Sequence, residues 1–327
     1  MKNEKIFYIL AFTFFIVIIA GILFGFINRQ VSAISNSLLI SFNTDYISIF
    51  NPNSNQVVNK IHLDLPYVIK KVLRYNDAIY LIATHQVILI GMNGSIKKIV
   101  NTNDTLVDGI IKDGNLYTIG IIQTAPCNLS SNLSNLAEGY KSYITIFDSS
   151  LSQLSKLEFD RYVFYGLAIL NNTLFVSSFF DSKIYEIHDG KIINSIQLPK
   201  GSFPSQIFNF GDKIIVIGKK EIFILPTTLS NFDILVNESI CNHYARAFIY
   251  NNNLYATCFT GNKTIVYDLV QNKLIKQINT TLPYYVWGFK DKIYVTSVFE
   301  KKLYVINPST NGLIATIDFD ERPRVVG

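Results

Sequence analysis

Tyr165-Gly166-Leu167-Ala168-Ile169-Leu170, then Asn171-Asn172, then Leu174-Phe175-Val176-Ser177-Ser178 read as two strands joined by a tight turn. Ser182-Lys183-Ile184-Tyr185-Glu186-Ile187 follows with alternating apolar residues, Asp189-Gly190 makes a hairpin turn, and Lys191-Ile192-Ile193-Asn194-Ser195-Ile196 returns. A period-2 side-chain pattern interrupted by turn residues at such short intervals predicts four short antiparallel strands. Four strands of this kind make one blade of a β-propeller.

The same punctuation recurs along the chain. Asn76-Asp77 precedes Ile79-Tyr80, Asp113-Gly114 precedes Leu116-Tyr117, and Gly211-Asp212 precedes Ile214-Ile215. Asn251-Asn252 precedes Leu254-Tyr255, Asp291 precedes Ile293-Tyr294, and a degraded copy, Leu39-Ile40, opens the series. The second apolar member falls at 40, 80, 117, 175, 215, 255 and 294, so five of the six intervals lie between 37 and 40 residues. That period is the length of a four-stranded blade. The longer interval holds an insertion between about Gln123 and Lys141, which follows the strand Asn115–Ile121 and precedes the strand Tyr143–Phe147. It therefore emerges on the face where the first strands begin, as a binding loop or a tolerated surface insertion. No apolar stripe of period 3.6 and helical length follows residue 36.

The expectation is an all-β, seven-bladed β-propeller. An open series of blades would expose unpaired edges, so the ring has to close. Arg322-Pro323-Arg324-Val325-Val326 matches the start of a first strand such as Phe203-Pro204-Ser205-Gln206-Ile207, whereas the first blade, Leu38 to Leu63, holds only three strands. The C-terminal strand is expected to complete that blade by pairing with Leu38–Phe42.

The composition agrees with sheet. Nearly half of the 327 residues (49%) are hydrophobic and 16% are charged, with 19 tyrosines and 24 phenylalanines, so a large core and strand-favouring side chains are both available. The net charge of +5 is spread without a run of five or more basic residues, which leaves no footprint for nucleic acid.

Ile6 to Ile27 is a 22-residue run without charge, long enough to cross a bilayer as a helix. Lys2 and Lys5 precede it and Arg29 follows, so the basic bias puts residues 1–5 in the cytoplasm. The expected organisation is a transmembrane signal anchor over 6–27, a linker over 28–36 and an extracellular propeller over 37–327. Val31-Ser32-Ala33 offers the alternative of signal-peptide cleavage and secretion, and both readings export the propeller. Sequons at Asn93, Asn103, Asn128, Asn132, Asn171, Asn237, Asn262 and Asn279 agree with export. Of Cys127, Cys241 and Cys258, the last two flank a hairpin centred near Asn252 and are expected to pair, with Cys127 as competitor.

The unit resembles the YVTN repeat of archaeal and bacterial surface propellers. The last copy carries the resemblance best, through Ile293-Tyr294-Val295-Thr296-Ser297, Leu303-Tyr304-Val305-Ile306-Asn307, Asn311-Gly312, Ile314-Ala315-Thr316-Ile317 and Arg322-Pro323-Arg324-Val325-Val326. The resemblance implies a surface-layer, adhesion or scaffold protein; with the anchor, the repeats and the lack of a catalytic set, the expectation is a binding module that takes an envelope protein or glycan as partner. Related seven-bladed propellers include lactonases and cyclases, so the alternative is an enzyme acting on an acidic small molecule at the channel mouth.

Residue by residue, little chemistry stands out. His62, His85, His188 and His243 sit in no metal or nucleophile motif, and no cofactor or metal site is expected. Aligning the units puts Lys71, Asp108, Gly166, Gln206, Arg246 and Trp287 at equivalent first-strand positions near the channel mouth, with Tyr165 and Arg324 just before that position. These residues, Gly166 aside, form the expected ligand-binding set. Asp108 is its only acid, too few for a Ca²⁺-type lactonase. Arg246, Arg324 and His243 supply the basic half of a carboxylate-binding site, and Glu238 lies in the loop before His243. Arg246 and Asp108 have a second expected use, as an ion pair across the mouth.

Overall fold

The computed structural model describes residues 36–41, 46–63, 67–125 and 137–327. Within them, 28 strands form seven four-stranded antiparallel sheets. In chain order the blades cover 38–62, 69–101, 105–160, 164–197, 206–236, 244–279 and 283–318, each beginning with its innermost strand except the first. The fold is a seven-bladed β-propeller.

The turns that punctuate the repeat have a conformational reason. Asn76, Asp113, Asn171, Asn172, Asp189, Asn251 and Asn252 all have positive φ. Asn and Asp tolerate that region because their short polar side chains bond locally. Second and third strands are almost wholly buried, as in Ala78–Ala83 and Ile222–Pro226, while fourth strands such as Lys191–Gln197 face solvent. The core lies between blades. Tyr80, Ile82 and Val87 of the second blade pack with Leu116, Phe147 and Leu151 of the third.

Ring closure follows the expected route. Ile40 pairs with Val326 and Ser41 with Val325, so the strand Val325–Val326 is the innermost of the first blade. Leu39 and Gly327 exchange backbone hydrogen bonds of 2.9 and 3.0 Å, and the Arg324 N–H donates to the Ser41 carbonyl at 2.8 Å. Val325 and Val326 are buried. On the neighbouring blade, the Arg74 guanidinium donates to the carbonyls of Ser37 and Gly327, and burial lowers its pKa to about 10.

Tyrosine hydroxyls tie neighbouring blades. Tyr80 donates to the Ser149 carbonyl at 2.9 Å and Tyr255 to Asn311 Oδ1 at 2.7 Å. At the seam, the corresponding atoms Tyr294 Oη and Asn55 Oδ1 are buried without a hydrogen-bond partner among the described residues.

The segment 6–27 and the insertion residues 126–136, with Cys127, Asn128 and Asn132, lie outside the described residues. Among the described residues no helix is long and apolar enough to cross a membrane. The other six sequon asparagines are all exposed. Cys241 and Cys258 are joined by a disulfide, with Cα atoms 5.7 Å apart.

Candidate functional site: the channel mouth

Five of the innermost strands carry a register shift at their mouth end. The shifts fall between Ile69 and Lys71, Leu106 and Asp108, Phe164 and Gly166, Tyr244 and Ala247, and Pro283 and Tyr285. A β-bulge inserts a residue that the partner strand does not count, re-aiming the side chains beside it. Residues taken as equivalent from their sequence position therefore separate here into different roles.

Asp108 and Gln206 hold the ring together. The Leu167 N–H donates to Asp108 Oδ2 at 3.2 Å, and the Ala247 N–H donates to Gln206 Oε1 at 2.8 Å, each linking one innermost strand to the next. Lys71 Nζ lies 2.6 Å from Asp108 Oδ1. The expected pairing of Asp108 with Arg246 is thus replaced: the Asp108 carboxylate is occupied by Lys71 and the Leu167 amide. Gly166 is required by close approach, because a Cβ there would sit 2.9 Å from the Gln206 Cα. Trp287 lies two residues beyond the mouth position. It pairs in register with Tyr294 and packs on Phe248 with ring centroids 4.7 Å apart, so Tyr285 holds the place expected for Trp287. Tyr285 is buried, and desolvation pushes its phenol up, with Arg246 opposing and Asp108 adding.

Tyr165 and Arg246 face a cleft of about 500 Å³ on the mouth side of blades four to seven. Its walls come from loops between blades and from those between second and third strands. They include Phe179, Phe203, Tyr244, Phe259 and Tyr284, with Lys219 and His243 as the other basic groups. Among the described residues, no carboxylate lines it. The rings form an arc. Phe179 lies 5.0 Å from Tyr165 and 5.1 Å from Phe203, and His243 lies 6.1 Å and Phe299 6.0 Å from Phe259. Tyr284 and Phe299 are exposed. The disulfide at Cys258 immediately precedes Phe259 and braces this wall.

The electrostatics are one-sided. Partial burial, then Lys219, lowers the His243 pKa and favours the neutral imidazole. Burial, then the charges of Arg246 and Arg324, lowers the Lys70 ammonium pKa. Arg324 Nε is buried without a hydrogen-bond partner among the described residues. Glu238, in the loop before His243, is engaged at the surface with Lys220 at 3.0 Å.

A second cleft of about 340 Å³ adjoins the first across Tyr165 and Phe179. Gln123 and Tyr140, at the two feet of the insertion, line it, and Tyr140 lies 6.0 Å from Phe180. The residues flanking the insertion thus lie on the rim of the same face.

The remaining histidines lie elsewhere. His85 bonds the Asp104 carbonyl at 3.1 Å and packs on Tyr67, while His188 lies on an exposed turn beside Asp189. Among the described residues, no group of three or more His, Cys, Asp or Glu could hold a metal ion.

Similarity to known proteins stops at the fold. No protein family matches the sequence, and no curated protein does. Among solved structures, a protein proposed to be a 6-phosphogluconolactonase from Bacteroides uniformis superposes with a TM-score of 0.67 at 10% identity, covering 89% of this chain and 98% of that one. Virginiamycin B lyase from Staphylococcus aureus gives 0.62 at 14% identity over 79% and 87%. AztD from Citrobacter koseri gives 0.59 at 14% identity over 89% and 97%. At such identities these neighbours establish the seven-bladed propeller and nothing of its chemistry.

Proposed function

We propose that the chain is a membrane-anchored extracellular propeller of the YVTN-repeat type, acting as a binding module that takes an envelope protein or glycan on its channel-mouth face. The observation that carries this reading is the cleft itself. Its aromatic walls, two fixed cations and lack of carboxylates provide affinity without an acid–base pair, and its volume lies in the range of ligand sites. The apolar run 6–27 with its basic flanks, the exposed sequons and the Cys241–Cys258 disulfide support export with a retained anchor. The alternative, a lactonase- or cyclase-like enzyme for an acidic small molecule, draws on one feature: His243, biased to the neutral form, is a candidate base lining the same cleft as Arg246.

The test is a pull-down from solubilised membranes with the full chain and with Phe259→Ala and Arg246→Met variants. The binding-module reading expects a defined partner that both substitutions deplete, without turnover of generic lactones. A partner retained equally by both variants would refute the mouth face as the binding surface. Turnover lost in His243→Gln would favour the enzyme.

A further inference from the structure

The cation arrangement assigns a ligand class to this mouth. Arg246 lines the cleft at the register shift of its innermost strand, and its charge acts on Lys70. Arg324 acts on the same ammonium, and its Nε is buried without a partner among the described residues. Neither arginine forms an ion pair with a carboxylate among the described residues, and Asp108 is held by Lys71. Like charges held together raise one another's free energy, and an incoming anion relieves that repulsion. A buried guanidinium N–H without an acceptor adds to the same demand.

The other half of the cleft asks for something different. Tyr165, Phe179 and Phe203 form a tilted stack lining the same cleft as Arg246 and Phe259, and such faces take flat apolar surfaces. Resting on the proposed binding role of this face, we infer that the site takes a ring-bearing molecule with one anionic group. The anion meets Arg246, and the flat face of an aromatic ring or a hexose lies against Phe179 and Phe203. Lys219, 5.7 Å over the Phe203 ring, closes the outer end and adds long-range attraction that salt screens.

A matched pair of probes tests this: p-nitrophenyl β-D-glucuronide and p-nitrophenyl β-D-glucoside, which differ in one carboxylate. Binding to the full chain in lipid nanodiscs is read by titration calorimetry against empty discs. The expected result is one site per chain and at least about tenfold preference for the glucuronide, which is about 1.4 kcal/mol. Arg246→Met abolishes the preference while the glucoside affinity stays, and Phe203→Ala weakens both probes alike. Lys276→Met, on the exposed outer strand of blade six, changes neither. Each variant is first checked by its melting curve, and Arg246→Gln replaces Arg246→Met if the latter fails to fold. Displacement by glucuronate identifies the saccharide source of the anion, and displacement by benzoate identifies the aromatic one. Equal affinity for the two glycosides, or a preference that survives loss of Arg246, overturns the ligand class. Because the pull-down is independent of these probes, a mouth-dependent partner with no glucuronide preference would leave the binding module standing and this assignment refuted.

Discussion

Removing residues 321–327 is the sharpest perturbation of the ring, because the structure gives the loss term by term. Three backbone hydrogen bonds disappear: Arg324 N–H to Ser41, and the reciprocal pair between Leu39 and Gly327. At about 0.5–1.5 kcal/mol each, these contribute about 1.5–4.5 kcal/mol. Val325 and Val326, 4% and 0% exposed, add about 1.5–3 kcal/mol each. The Tyr46 bond to Glu321 and the Thr296 bond to the Arg324 carbonyl go as well. The total of about 5–10 kcal/mol is comparable with the whole stability of an ordinary domain. Most tail truncations are harmless because tails make few contacts, but this tail is the innermost strand of a blade. The assay is thermal unfolding by circular dichroism of the chain ending at Asp320 against the full chain. At about 2 °C per kcal/mol for a domain of this size, the expected fall is about 10 °C or more, or failure to fold. Addition of a peptide of residues 321–327 should restore part of it. Equal melting temperatures would show that the ring does not depend on this strand and would refute the closure.

Other outcomes follow from single contacts. Tyr255→Phe should cost about 1–2 kcal/mol by stranding Asn311, whereas Tyr294→Phe should be nearly neutral in the same melts, since its hydroxyl lacks a partner among the described residues. Cys241→Ala with Cys258→Ala should cost about 3 kcal/mol for a closed loop of this length under oxidising conditions, and non-reducing peptide mapping should find the wild-type pair. Because the folded His243 pKa lies below its unfolded value of 6.5, the unfolded chain takes up the proton first as pH falls. Its contribution is therefore intact above pH 6.5 and lost as pH falls through the folded pKa, and His243→Gln should flatten that part of the pH–stability curve. Protease added to intact cells should digest the propeller, and mass spectrometry of the mature protein should find residues before Ala33; a start at Ile34 would indicate a secreted protein.

The blades were legible because each is written locally. Asn and Asp at positive φ set the turns, and the buried pair after each turn, such as Ile79-Tyr80, sets the second strand. Closure was legible for the same reason, since Arg322–Val326 repeats the pattern of Phe203–Ile207. The mouth was only partly legible. Register shifts change which residue faces the channel without leaving a mark in the repeat, which is why Trp287 was placed where Tyr285 stands and why Lys70 and Tyr284 were missed. The Asp108–Lys71 pair joins two blades 37 residues apart, and nothing in either local sequence distinguishes it from a pair with Arg246. Phe179, Phe203 and Phe259 come from loops outside the repeat, although the recurrence of Phe at loop positions on one face was a usable signal.

The central claim, that the channel-mouth face engages a partner at the envelope, is tested most directly by site-specific photo-crosslinking in intact cells. A benzophenone side chain at Tyr284 or Phe299 lies on the mouth face, and one at Ile193 lies on the exposed outer strand of blade four. The account predicts a discrete crosslinked species from the first two positions that the Arg246→Met background removes, and none from Ile193. Equal crosslinking from Ile193, or a mouth product indifferent to Arg246, would contradict it.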